Sequence, residues 1–201
     1  MGNRTLALFD FDGTITTHDT LFLFAKFVSG AFRFRLGIIY LSPVLLAHKL
    51  GLLPALRAKE IFISHYFKGT TTNQFVSFCN RFCDQLLPGF IRPAALEALR
   101  EHKKQQARIV IVSASPKDWI LPWAIKHNIE VIATVLEKTN ERLTGKLQGA
   151  NCNGQEKVNR IRERIVLSDY DEIIAYGDSK GDKEMLSIAT KKYFKPFRDN
   201  G

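Results

Sequence analysis

The chain has only three cysteines in 201 residues, an odd number without the spacing of a disulfide framework. That excludes a small disulfide-held scaffold and favours a reducing compartment, so a cytoplasmic location is expected. Cys79 and Cys83 stand four apart on an expected helix, and with Cys152 they make three soft ligands without an evident fourth. Buried free thiols are expected rather than a zinc site. No low-complexity stretch or internal repeat occurs, which excludes linker-like and solenoid chains. No apolar run reaches the roughly 20 residues of a membrane-spanning helix. Met1-Gly2-Asn3-Arg4 lacks the layout of a secretory signal. The five histidines, His18, His48, His65, His102 and His127, are scattered without ligand spacing, and catalysis is not expected to need them. Acids are nearly missing from one stretch: residues 20–83 hold eight basic residues and a single acid, Glu60.

What is present is ordinary in bulk and particular in a few places. An apolar share of 45% suits a globular chain with a sizeable core, and 201 residues suit one domain with a modest insert. Near the start, Phe9-Asp10-Phe11-Asp12-Gly13-Thr14 closes an apolar run. Near the end, Gly177-Asp178-Ser179-Lys180-Gly181-Asp182 closes another. A strand ending in Asp-x-Asp sets two acids at the mouth of a sheet, pointing the same way. Carboxylates that close repel unless a cation lies between them or one keeps a proton. Asp178 and Asp182 add further oxygens, so the set suits Mg²⁺. Between these ends, Ile109-Val110-Ile111-Val112-Ser113 is an apolar strand ending in a hydroxyl, and Lys157 follows Asn153-Gly154-Gln155-Glu156. Each piece alone has a plain structural reading as turn, helix cap or solvated lysine. Together and in this order they point to metal-assisted phosphoryl transfer through an aspartyl nucleophile.

The ordered set resembles the four motifs of the haloacid dehalogenase superfamily of phosphohydrolases. The Asp-x-Asp-Gly-Thr form, the Ser-Ala after the second strand and the long insert after the first motif resemble its phosphoserine-phosphatase-like branch. The resemblance runs from Leu6 to about Pro196. It implies an α/β fold, a Rossmann-like and mostly parallel sheet with an inserted all-helical cap. It also implies roles: Asp10 as nucleophile, Asp12 as acid and base, and Mg²⁺ held by Asp10, the main-chain carbonyl of Asp12 and Asp178. Asp182 would orient that metal site from behind. Ser113 and the Ala114 N–H would grip phosphoryl oxygens, Lys157 would neutralise them, and Thr14 would steady the first loop. Asp19 lies where phosphoserine phosphatases carry a Glu that contacts the substrate amine, which makes it a candidate for substrate specificity. Gly181 replaces the Asn usual in the fourth motif of phosphoserine phosphatases, and so removes a phosphate-binding side chain.

The hydrophobic pattern agrees with that architecture. Strands are expected at 5–9, 108–112, 130–135, 172–176 and 192–194, with a hairpin through 141–147. Helices are expected at 90–106, 116–127 and 155–164. Ligands in open parallel sheets bind outside the carboxyl ends of the strands, where Asp10, Asp12, Ser113 and Asp178 fall. Trp119 and Trp123, four apart, read as packing residues on one helix face. Residues 18–87 break the alternation with helical pieces at 20–28, 32–50, 54–67 and 72–86, the expected cap; residues 1–17 and 88–201 make the core. Gly69 and Gly89 flank the last piece and read as bends or helix ends.

The basic cap would draw a small anionic phosphomonoester to the site. Within it, residues 36–47 form an almost continuous apolar run interrupted by Pro43. A buried cap helix is the expectation for this run. The alternative is an interfacial segment on an anionic membrane surface, which would place the protein at the inner face of a membrane. Nucleic acid is not expected as a partner, because no recognition motif accompanies the charge. Nothing in the sequence sets the oligomeric state. The leading functional expectation is a Mg²⁺-dependent phosphatase of a small metabolite. The alternatives are a lipid-headgroup phosphatase, for example for phosphatidylglycerophosphate, and a non-enzymatic module that carries phosphate on aspartate as a signal.

Overall fold

The computed structural model describes residues 4–198, so Met1 to Asn3 and the last three residues of the expected core lie outside the described residues. Among the described residues, five strands form one parallel sheet: β1 (Thr5–Phe9), β2 (Arg108–Pro116), β3 (Glu130–Thr134), β6 (Glu172–Gly177) and β7 (Lys191–Phe194). Their order is β3-β2-β1-β6-β7, which puts β1 in the centre. β1 pairs on one side with β2 through Leu6–Arg108 and Phe9–Ile111, and on the other with β6 through Thr5–Glu172 and Phe9–Tyr176. A separate antiparallel hairpin joins β4 (Leu136–Thr139) to β5 (Arg142–Leu147).

The sheet is apolar on both faces, as a parallel sheet covered by helices must be. Leu6, Leu8, Val110, Val112, Ile132, Ile173 and Ala175 point to one side, where they meet Ile161 of α7 (Gln155–Arg164) and Met185 of α8 (Lys183–Ser187). Ala7, Phe9, Ile109, Ile111, Val131, Ile174 and Tyr176 point to the other. There they meet α5 (Pro93–Lys104) and α6 (Lys117–Lys126). The period-two alternation along each strand produces this split. α5 begins later than the pattern predicts because Pro93 stands at its first position, and a short 3₁₀ turn at Leu87–Phe90 precedes it.

Four helices follow β1: α1 (Thr20–Ser29), α2 (Ala31–Lys49), α3 (Ala55–Phe67) and α4 (Thr72–Gln85). They share one apolar cluster with the sheet face that carries Phe9 and Ile111. Phe24 of α1 packs against Phe67, Phe75, Phe82 and Trp119. Trp119 also donates its indole N–H to the Thr20 hydroxyl at 3.0 Å, so α6 is tied to the start of α1. Both tryptophans are buried in packing roles, as expected, and all three cysteines are buried and unpaired. The loop after α3 pairs with β5 through Gly69 N–H to the Leu143 carbonyl and Leu143 N–H to the Thr70 carbonyl.

One expectation needs correction. Only Gly37 and Leu41 of α2 are buried, and most of its apolar side chains face solvent. A helix that is apolar all round gives no single inward face in its sequence, so burial could not be read from composition. Among the described residues, no helix is long and apolar enough to cross a membrane.

Candidate active site

The carboxyl ends of β1, β2 and β6 open into a cavity of about 400 Å³. Its lining includes Asp10, Asp12, Asp19, Ala114, Lys157, Asp178 and Asp182. Asp10 follows β1 directly, and its N–H bonds the Tyr176 carbonyl of β6 at 2.9 Å, so the sheet ladder holds its backbone. The chain then turns tightly through Phe11–Ile15. Gly13 sits there at φ +77°, where a Cβ would fall 2.3 Å from Asp178 Oδ2. Glycine is needed twice over, for the backbone conformation and for the approach of Asp178.

Lys157 is the electrostatic centre. Its buried ammonium donates to Asp10 Oδ1 at 2.6 Å, to Asp182 Oδ1 at 2.6 Å and to the Val112 carbonyl at 2.8 Å. The Thr14 hydroxyl donates to the other oxygen of Asp10 at 3.1 Å. Asp182 Oδ2 accepts from the N–H groups of Asp178 and Ser179 and from the Ser179 hydroxyl. Arg198 donates to Asp178 Oδ2 at 2.7 Å. Oxygens of Asp10, Asp178 and Asp182 all lie within 4.8 Å of one another. Hard oxygen donors in this number suit a divalent cation such as Mg²⁺. Five acids (Asp10, Asp12, Asp19, Asp178 and Asp182) and three basic residues (Lys59, Lys157 and Arg198) line the cavity, so the charge balance also leaves room for a divalent cation.

Asp12 and Asp19 belong to the entrance of α1. Asp12 Oδ1 accepts the Thr20 N–H at 2.7 Å, and Asp19 Oδ1 accepts the Leu21 N–H at 2.8 Å as the helix N-cap. The insert thus begins by fixing two cavity acids. Ser113 is fully buried under the lining, and its hydroxyl oxygen accepts the Ser115 N–H at 3.0 Å. Its own O–H has no acceptor among the described residues. Ala114 and Ser115 line the cavity.

A family model of haloacid dehalogenase-like hydrolases matches residues 7–187. The chain belongs to the haloacid dehalogenase-like hydrolases. Protein CicA of Caulobacter vibrioides (strain NA1000 / CB15N) is 35% identical over 201 residues, covering 98% of this chain and 89% of its own. A protein of unknown function from Bordetella pertussis Tohama I has the same fold at a TM-score of 0.83. Its identity is 23%, over 94% of this chain and 89% of that one. A phosphoserine phosphohydrolase-like protein from Francisella tularensis subsp. tularensis SCHU S4 gives a TM-score of 0.67 and 19% identity, over 96% and 86% of the two chains. The α/β fold read from the sequence is the fold of these solved structures, a phosphoserine phosphohydrolase-like protein among them.

In this hydrolase, burial pushes the Asp10 carboxyl up to about 7, and neighbouring Asp182 adds to the rise while Lys157 opposes it. Burial alone would lower Lys157, but Asp10 and Asp182 outweigh it and hold the ammonium above the ordinary lysine range. Burial would raise Asp182, yet Lys157 and Ser179 hold it below the usual carboxylate value. Asp178 is raised, chiefly by burial, with Arg198 opposing. Burial and the charge of Asp12 push Asp19 up to about 6.

Several lining residues were not singled out from sequence. Lys59 of α3 reaches the Ala114 carbonyl and Asn151 Oδ1, each at 2.9 Å, and burial lowers its pKa. Its signal was legible, because it falls in phase with the buried Phe62 and Ile63, an odd place for a lysine. Arg198 carried no such mark. Asn153 fills the space beside Gly181: a Cβ at Gly181 would fall 1.9 Å from Asn153 Oδ1. The amide missing from position 181 is thus matched by one from a different loop.

Proposed function

We propose that this hydrolase is a phosphomonoesterase of small phosphorylated metabolites that works through an aspartyl-phosphate on Asp10. The observation that carries the reading is the gathering of Asp10, Asp12, Lys157, Asp178 and Asp182 in one cavity at the carboxyl ends of β1 and β6. Asp10 attacks the phosphorus while the P–O bond to the leaving group breaks, and Asp12 gives its proton to the leaving oxygen. Water then attacks the phosphorus, Asp12 takes its proton, and the bond to Asp10 breaks to release phosphate. Thr14 and Lys157 hold the Asp10 carboxylate in one orientation, which removes the entropy of finding it. Lys157 also offsets the charge of the phosphoryl oxygens. The free O–H of Ser113 and the main chain at Ala114 supply further contacts to those oxygens.

Mg²⁺ fits the acid cluster, held by Asp10 and Asp178 with the Asp12 carbonyl; when bound it would stabilise negative charge on the transferring group. Both oxygens of Asp182 are already engaged by Lys157 and by Ser179, which suits it to orienting the cluster rather than leading it. Helices α1–α4, with residues 18–87 as their bounds, act as the cap over the cavity. Asp19 and Lys59 lie on its cap side and are the candidates for reading the leaving group.

The test is a panel of phosphomonoesters assayed after chelation and again with added Mg²⁺. Hydrolysis of at least one metabolite that depends on Mg²⁺ and vanishes in Asp10→Asn supports the reading. Full activity of Asp10→Asn, after exclusion of deamidation back to Asp, would refute it. A lifetime of the phospho-enzyme much beyond seconds would favour the signalling alternative.

A further inference from the structure

Among the described residues, nothing packs on the outer face of α2. Phe32, Leu36, Ile39, Pro43, Leu46 and the following Leu50 recur at intervals of four and three residues, which sets them in one stripe along the helix. All six face solvent; Phe32 is 74% exposed, Ile39 68% and Leu46 56%. Leu52, in the loop beyond, is also 77% exposed. The opposite face, with Gly37 and Leu41, is the one packed against protein. Isolated exposed apolar residues are ordinary, but a continuous stripe marks a contact surface.

The charges around it are of one sign. At about 100° per residue, Arg33 falls on one shoulder of the stripe, and Arg35 and Lys49 fall on the other. Arg57, at the start of α3, is exposed too, but its guanidinium is already paired with Glu60 at 3.1 Å. Arg33, Arg35 and Lys49 are exposed, and residues 20–59 contain no acid. An apolar centre with basic shoulders is the pattern of a helix lying in a bilayer interface. Its side chains enter the acyl region, and its cations reach the headgroup phosphates.

We propose that α2 docks this protein on the surface of a bilayer containing anionic phospholipid. The helix lies on the bilayer, since its other face is held by the protein. A second copy of the chain fits the surface poorly, because a self-complementary contact would bring Arg33, Arg35 and Lys49 of two chains together with no acid to receive them. The inference concerns where the protein sits, and it stands whichever phosphomonoester the cavity takes.

The test is flotation of the full chain with vesicles of phosphatidylglycerol and phosphatidylcholine, and with phosphatidylcholine alone. The expected result is binding to the anionic vesicles, weakened by salt. Ile39→Glu with Leu46→Glu should weaken it at least about tenfold. The melting temperature and the hydrolysis of a water-soluble phosphomonoester should stay unchanged. Arg33→Gln and Arg35→Gln, which leave the stripe intact, should each weaken binding about fivefold. Absence of binding by the unaltered chain, or binding unaffected by the Glu pair, would overturn the proposal. So would a fall of many degrees in melting temperature for the Glu pair, which would mean a packed face. A dimer in light scattering that the same pair dissociates would assign the surface to a second copy instead.

Discussion

Replacing Lys157 with Met removes the one buried cation that touches both Asp10 and Asp182 while keeping the volume of the side chain. Lys157 is 1% exposed, and its two carboxylate partners are also buried. Breaking a buried ion pair by deleting one member costs about 3–5 kcal/mol, because the remaining charge is left without compensation. For a chain of this size that corresponds to a fall in melting temperature of roughly 6–20 °C. The loss should depend on pH. Asp10 already has a folded-state pKa near 7, above its ordinary 3.8, with Lys157 opposing the rise. Without Lys157, Asp10 rises further and Asp182 loses the cation that holds it down, so the folded variant binds protons that the unfolded chain releases. Stability is then greatest below the ordinary carboxylate range and is lost as pH climbs through 7. The assay is a series of thermal melts of both metal-free chains from pH 4.5 to 8.5. A penalty that grows toward pH 8.5 and shrinks toward pH 4.5 is expected. A penalty under about 2 °C at pH 8, or one flat across the range, would refute the reasoning.

Three further outcomes follow from the same geometry. Asp12→Asn should slow turnover by roughly 10²–10⁴-fold through loss of proton transfer. Its main-chain carbonyl survives, so Mg²⁺ affinity by calorimetry should hold; collapsed affinity with normal single-turnover chemistry would make its side chain a ligand instead. Gly13→Ala forces a Cβ to 2.3 Å from Asp178 Oδ2 at a positive φ, so both melting temperature and Mg²⁺ affinity should fall. Because Asp10 titrates near 7 in the metal-free chain, Mg²⁺ must displace a proton below that pH. Affinity should therefore rise with pH and level off above 7, and calorimetry in buffers of different ionisation heat should detect the released proton.

The parts of the site legible in sequence are those where local pattern and chemistry coincide. Asp10, Asp12 and Asp178 follow strands whose continuous apolar runs are plain in the residues, and the parallel order puts those ends together. Lys157 could be placed at the start of its helix but not by its partners, since Asp10 is 147 residues away. Lys59 and Arg198 reach the cavity from elements whose docking depends on tertiary packing, and only Lys59 left a mark in its helix. The burial of α2 was misjudged because an all-round apolar helix has two candidate inner faces, and the fold covers one. The 3₁₀ turn before α5 falls at Gly89, which reads as a bend in the sequence; what the pattern missed is that the helix waits for Pro93.

The most direct measurement is a rapid acid quench during turnover of a phosphomonoester labelled with ³²P, followed by digestion and mapping. The account predicts a transient acyl-phosphate that hydroxylamine cleaves, located on Asp10 and absent from Asp10→Asn. A phosphorylated residue other than Asp10, or burst-free turnover with no labelled protein under single-turnover conditions, would contradict it.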